Sequence, residues 1–172
     1  HTLKIIMNVN IALLTVTDTR TFDNDKSGAI LVEKIKEANH NLIDRKICKD
    51  NKKDIVLILK EWINKDDIDV VITTGGTGLT GRDITPEAVS EIAEKQIPGF
   101  GEIFRNISLK TVGTSAIQSR ACAVLANGKY IFALPGSSGG VTDAWEGILK
   151  YQLDINHKPC NFVELFPRLK EK

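Results

Sequence analysis

Two glycine-rich loops constrain this chain more than any other feature. Seven of its 13 glycines fall in Thr74-Gly75-Gly76-Thr77-Gly78-Leu79-Thr80-Gly81-Arg82-Asp83 and Pro135-Gly136-Ser137-Ser138-Gly139-Gly140. Each loop directly follows an apolar run and leads toward a helical pattern. A β-strand that turns sharply into a helix twice over is a signature of open α/β sheets.

The rest of the chain agrees. Residues 9–16, 41–47, 70–74, 121–126 and 130–134 read as strands. The third is short and apolar, as in a strand buried on both faces. Asn127-Gly128 joins the last two as a hairpin, so that pair is predicted antiparallel. Between strands, Leu31, Ile35 and Ala38 recur at helical spacing behind a Ser27 cap, and Ile55, Ile58, Leu59 and Trp62 form a stripe behind Asp50 or Asn51. Thr85-Pro86-Glu87 reads as a helix start with Thr85 as the cap, and Pro98-Gly99 as that helix's end. Phe100, Ile103, Phe104 and Ile107 predict another helix, and residues 141–150 a last one with Val141, Ala144, Trp145 and Ile148 on its inner face. The order βαβα implies a three-layer α/β/α domain with a mainly parallel sheet and one antiparallel hairpin. With 172 residues, no repeat and no linker, residues 1–172 are expected to form a single domain.

Composition removes several function classes. Twenty-three Lys and Arg balance 22 Asp and Glu, so no global field draws nucleic acid or an anionic membrane. The longest apolar run is residues 121–126, far short of the roughly 20 residues that span a bilayer. Lys4, Asn8 and Asn10 interrupt the first residues, which lack the apolar length of a secretion signal; His1 reads as a processed end. Cys48, Cys122 and Cys160 are an odd set at wide spacing, consistent with a reducing cytoplasm. His1, His40 and His157 form no zinc pattern, and His157 with Cys160 is a weak nucleophile–base reading.

Ligands of open α/β sheets sit at the carboxyl ends of the strands, where both loops fall. Glycines expose successive N–H groups and admit a ligand's close approach, which suits a phosphate. The spacing matches neither a GxxxxGK[ST] loop nor a dinucleotide fingerprint. Asp18, Asp50 and Asp83 follow the first strand, the second strand and the first loop. Carboxylates beside a phosphate loop are costly unless a cation such as Mg²⁺ neutralises them. The plainer alternatives are a helix cap for Asp50, and a turn residue or partner of Arg82 for Asp83.

Gly75-Gly76-Thr77-Gly78, Arg82-Asp83, Thr85-Pro86-Glu87-Ala88, Pro98-Gly99-Phe100-Gly101-Glu102, residues 114–120, Leu134-Pro135-Gly136-Ser137 and Ala144-Trp145-Glu146 occur in that order. As a set they resemble the MoaB/MogA family of molybdopterin-binding proteins, over about residues 10–162. The resemblance implies trimers or hexamers. It implies molybdopterin adenylyltransferases, which use Mg-ATP to place AMP on the terminal phosphate of molybdopterin before metal insertion. Hand-over to other molybdenum cofactor proteins would follow. On this chain it implies catalytic, Mg²⁺-holding roles for Asp50 and Asp83. It implies substrate or nucleotide contacts at Thr17, Asp18, Gly75, Gly76, Thr77, Gly78, Arg82, Thr85, Gly136, Ser137 and Ser138. Many members carry Lys where this chain has Gly139 or Gly140, and some lack the Arg-Asp pair that it keeps. A non-catalytic molybdopterin carrier of the same fold is the alternative, and an unrelated phosphate-binding module a third. Phe100 and Phe104 are expected at a subunit interface.

Overall fold

In the computed structural model, residues 3–172 are described. Six strands form one sheet: β1 Asn10–Val16, β2 Asn41–Cys48, β3 Val70–Thr74, β4 Lys95–Gln96, β5 Cys122–Ala126 and β6 Lys129–Leu134. Their spatial order is β2-β1-β3-β6-β5-β4. The β1–β2, β1–β3 and β3–β6 pairs are parallel. The β5–β6 hairpin and the β4–β5 edge are antiparallel. At the hairpin turn Asn127 has φ 50° and Gly128 φ 73°, as the Asn-Gly dipeptide allows.

Helices α1 (Lys26–Glu37), α2 (Lys52–Ile63), α3 (Thr85–Ile92), α4 (Pro98–Val112), α5 (Ser138–Ala144) and α6 (Lys150–Gln152) complete the layers. One core gathers Ile11, Leu13, Ile72 and Phe132 of the sheet under Leu31 and Ile35 of α1, Phe104 of α4 and Val141 of α5. The other places Leu14, Val71 and Ile131 against Ile55, Leu59 and Trp62 of α2 and Val89 of α3. All five β3 residues are buried, as a central strand covered on both faces requires.

Local details depart from the sequence reading where long-range contacts win. Asp25, not Ser27, caps α1, accepting from Gly28 N. Asn51 caps α2, which leaves the Asp50 carboxylate uncommitted. Thr85 lies inside α3 behind Ile84, and its hydroxyl makes no cap. Pro98-Gly99 opens α4 and does not close α3, which ends at Ile92. Glu94 N and Ile97 N donate to Leu125 O and Ala123 O, drawing Lys95–Gln96 into the sheet as a short, charged edge strand. The last helix is one continuous body but passes through a π-helical turn, Trp145–Leu149. Phe100 and Phe104 are 3% and 1% exposed, so the predicted interface residues belong to the core. The apolar side chains that α4 and the following 3₁₀ turn present outward are Ile103, Leu109, Val112 and Ile117. Cys48, Cys122 and Cys160 are free thiols. No helix among the described residues is long and apolar enough to cross a membrane.

Candidate functional site

The strand order reverses between β2-β1 and β1-β3, and a cleft opens at that switch point, at the carboxyl ends of β1, β3 and β6. It holds about 360 Å³. Eight of the residues expected at the site line it: Thr17, Asp50, Gly75, Gly76, Asp83, Gly136, Ser137 and Ser138. Both glycine loops therefore face one space. They are tied together as well: Gly75 N donates to Leu134 O at 3.0 Å, and Thr74 Oγ1 donates to Pro135 O at 2.7 Å.

The first loop is built around close approaches. Gly76 has φ +73°, and a Cβ there would overlap Thr85 Oγ1 and lie 3.1 Å from Asp50 Oδ1. Only glycine takes this conformation without strain while leaving room for both neighbours. At Gly78 a Cβ would come within 2.7 Å of Asp83 Oδ2, so the missing side chain makes space for the carboxylate. Asp83 Oδ2 accepts from Thr80 N at 2.9 Å and Thr80 Oγ1 at 2.8 Å. It makes the turn-residue contact foreseen as the plain alternative, yet it still borders the cleft.

Five expected contact residues do not line the cleft; they support it. Thr85 is fully buried, and its hydroxyl donates to Gly75 O at 2.9 Å, pinning the loop. Thr77 is 4% exposed and faces inward. Gly78 O accepts from Arg120 Nε at 2.8 Å. Arg82 pairs not with Asp83 but with Asp18, in a fork of 3.0 and 2.9 Å. Asp18 Oδ1 also accepts from Asp50 N at 3.1 Å, joining the β1, β2 and β3 ends. Thr17 Oγ1 accepts from Thr19 N and Arg20 N, each at 3.2 Å, shaping the turn after β1.

The electrostatics separate the three carboxylates. The Arg82 hydrogen bond lowers the Asp18 pKa below the ordinary carboxylate value. Burial raises that of Asp50, and the negative charges of Asp18 and Asp83 raise it further. Neither Asp50 nor Asp83 is in a salt bridge among the described residues. No group of three His, Cys, Asp or Glu among the described residues could hold a metal by itself. Two hard oxygen donors remain, with room for phosphate oxygens and water, the arrangement in which Mg²⁺ is usually held. That donor set fits the ion.

Sequence reasoning missed the α1 side of the cleft. Arg20, Asp25, Lys26 and Ser27 line it with Thr15 and Thr74. Asp25 is buried, accepting from Thr15 Oγ1 at 2.6 Å and Arg45 Nη2 at 3.2 Å, so its charge is compensated. Arg20 and Lys26 are the basic residues that line the cleft, and Gly139 and Gly140 beside Gly136–Ser138 supply no charge. The placement of Asp25-Lys26-Ser27 directly after a polar loop was the signal that could have found them.

A doubly flanked, mainly parallel sheet with two glycine loops at its switch point defines an open α/β protein whose ligand cleft lies at the carboxyl ends of its strands. The family model that matches, described as "Probable molybdopterin binding domain", covers residues 12–154, and the chain belongs to that family. It is similar to "Molybdenum cofactor biosynthesis protein B" of Escherichia coli K12, 45% identical over 161 residues, covering 94% of this chain and 93% of the relative. The like-named Bacillus cereus protein is 45% identical over 146 residues, with 84% and 86% covered. A crystal structure of Molybdenum cofactor biosynthesis protein B superposes with a TM-score of 0.86 at 40% identity, covering 96% and 98%. The tungsten cofactor synthesizing protein MoaB from Pyrococcus furiosus gives 0.76 at 34%, covering 85% and 93%. The resemblance read from the loops is thus borne out, as is the fold.

Proposed function

We propose that this chain acts in molybdenum cofactor biosynthesis by binding molybdopterin and transferring AMP to it from Mg-ATP. The observation that carries the reading is the placement of Asp50 and Asp83, both outside salt bridges, in the cleft that the two glycine loops share. A phosphate monoester is already nucleophilic, so the protein needs to position and neutralise more than to abstract protons. The absence of histidine from the cleft lining accords with that.

In this reading the terminal phosphate oxygen of molybdopterin attacks the α-phosphorus of ATP. The new P–O bond forms as the bond to the β-phosphate oxygen breaks, and pyrophosphate leaves with that electron pair. The backbone N–H of Gly76 and the hydroxyls of Ser137 and Ser138 hold phosphate oxygens, while the Gly75 N–H stays bonded to Leu134 O. Ser137 Oγ accepts from Gly140 N at 3.0 Å, which leaves its own proton to donate. Asp50 and Asp83 would hold Mg²⁺. Bound there, the ion neutralises charge on the phosphates and polarises the phosphoryl group. Lys26 and Arg20 supply the cationic wall that members with a lysine in the second loop place elsewhere. The apolar residues Ile103, Leu109, Val112 and Ile117 are the surface on which a homotrimer or a hexamer built from it would assemble.

The test is pyrophosphate release from Mg-ATP plus molybdopterin. Transfer that depends on both substrates supports the reading. Tight molybdopterin binding with no release would make the chain a carrier, and no pterin binding at all would remove both.

A further inference from the structure

Arg120 lies outside the cleft, yet it holds the loop that carries Asp83 at three points and the following helix at a fourth. Its backbone N–H donates to Thr77 O at 2.9 Å. Nε donates to Gly78 O at 2.8 Å, and Nη2 donates to Asp83 O at 3.0 Å. Nη1 pairs with Glu87 in the first turn of α3, and this contact lowers the Glu87 pKa. One side chain therefore spans both ends of the turn from Gly78 to Asp83 and the helix that follows.

The clamp is itself braced. Arg105 on α4 donates through Nη1 to Ser119 O at 3.3 Å and Ala121 O at 3.1 Å, the two carbonyls that flank Arg120. Gly101 makes room for this, since a Cβ there would lie 2.7 Å from Arg105 Nη2 and 2.9 Å from Ala121 O. A rigid line thus runs from α4 through the start of β5 to the Asp83 loop.

We propose that Arg120 is a positioning residue: its guanidinium fork sets the shape of the Gly78–Asp83 turn and so the place of the Asp83 carboxylate. The inference rests on the transfer role read for Asp83. A lysine cannot substitute, because three separate acceptors need the planar fork and not a point charge.

Arg120→Ala and Arg120→Lys in the full chain test this, with single-turnover AMP transfer, molybdopterin affinity and amide exchange measured on each. Both variants should lose about a hundredfold in transfer, the scale of a 1 Å misplacement, while molybdopterin affinity stays within about threefold. Millimolar guanidinium should restore part of the rate of Arg120→Ala, and ammonium should not. Amides of residues 77–83 should exchange faster, with β1, β3 and β6 unchanged. A wild-type rate in either variant, or a lost rate that guanidinium does not move, overturns the proposal. Faster exchange throughout the sheet also overturns it, since Arg120 would then hold the fold and not the loop. Should the wild type transfer no AMP, the proposed function fails, and the exchange pattern decides separately whether Arg120 clamps the turn.

Discussion

The two glycine loops look alike in composition but are built differently. In the first, Gly75 and Thr77 are buried, and Thr85, Thr80 and Arg120 tie the chain from three directions. In the second, Gly136 to Gly139 are exposed, and the principal tie within it is the Ser137 cap on Gly140 N. A Cβ at Gly139 would meet nothing within 4 Å, whereas at Gly76 it would overlap Thr85. The first loop is a fixed mount for a carboxylate, and the second an open rim that a ligand can meet. Glycine serves close packing at Gly76 and Gly78 and leaves open space at Gly139, which composition alone does not distinguish.

The largest effect expected from breaking this division is at Asp83. Asp83→Asn keeps an oxygen to accept from Thr80 but removes the charge. Transfer should fall by about a hundredfold to a thousandfold, the range seen on losing one electrostatic group, with the fold retained. Molybdopterin affinity should change little, because the open rim is untouched. Near-normal transfer in a single-turnover assay would show that the fixed loop's carboxylate takes no part.

Next comes stability. Gly76→Ala should cost about 2 kcal/mol or more in urea unfolding, through its positive φ and the overlap with Thr85. Gly139→Ala should stay within about 0.5 kcal/mol. Equal costs at the two positions would erase the contrast between mount and rim.

A gain of function sharpens the same contrast. Gly139→Lys puts an ammonium on the open rim and should tighten pyrophosphate binding by about tenfold at low salt. Calorimetry in high salt should abolish the gain. A gain that survived salt would mean a direct, desolvated contact in place of long-range attraction.

The smallest effect is in pH. Burial and the neighbouring carboxylates raise the Asp50 pKa in the metal-free chain. The folded chain binds this proton more tightly than the unfolded chain, so ionised Asp50 destabilises the fold above the unfolded pKa. Without a divalent cation, Asp50→Asn should slightly raise the melting temperature at neutral pH, and the difference should vanish as the pH falls through the folded pKa. A lowered melting point would show that the carboxylate stabilises the apo fold.

The elements that were legible are those whose cause is local. The Val70–Thr74 strand, the Asn127-Gly128 hairpin and the Ile55–Trp62 stripe follow from apolar periodicity and turn chemistry within a few residues. Their order alone implied a ligand site at the carboxyl ends of the strands, where both loops fall. What misled was a signal with two local meanings. Proline suits the first turn of a helix as well as its end, and only the β5 edge, some 25 residues on, decided that Pro98 opens α4. Phe100 and Phe104 carry the same periodicity whether they face a partner or a core.

Sequence by itself determined the alternation of strands and helices, the two loops and the set of polar residues that could gather at their edge. Tertiary structure alone decided which of those residues face the cleft and which hold it. Asp18 is taken up by Arg82, 64 positions away, Thr85 by Gly75 O, and Arg120 spans 37 residues to Asp83 O. A hydroxyl, carboxylate or guanidinium forms hydrogen bonds with whatever the fold brings within about 3 Å, and no short-range pattern encodes that partner.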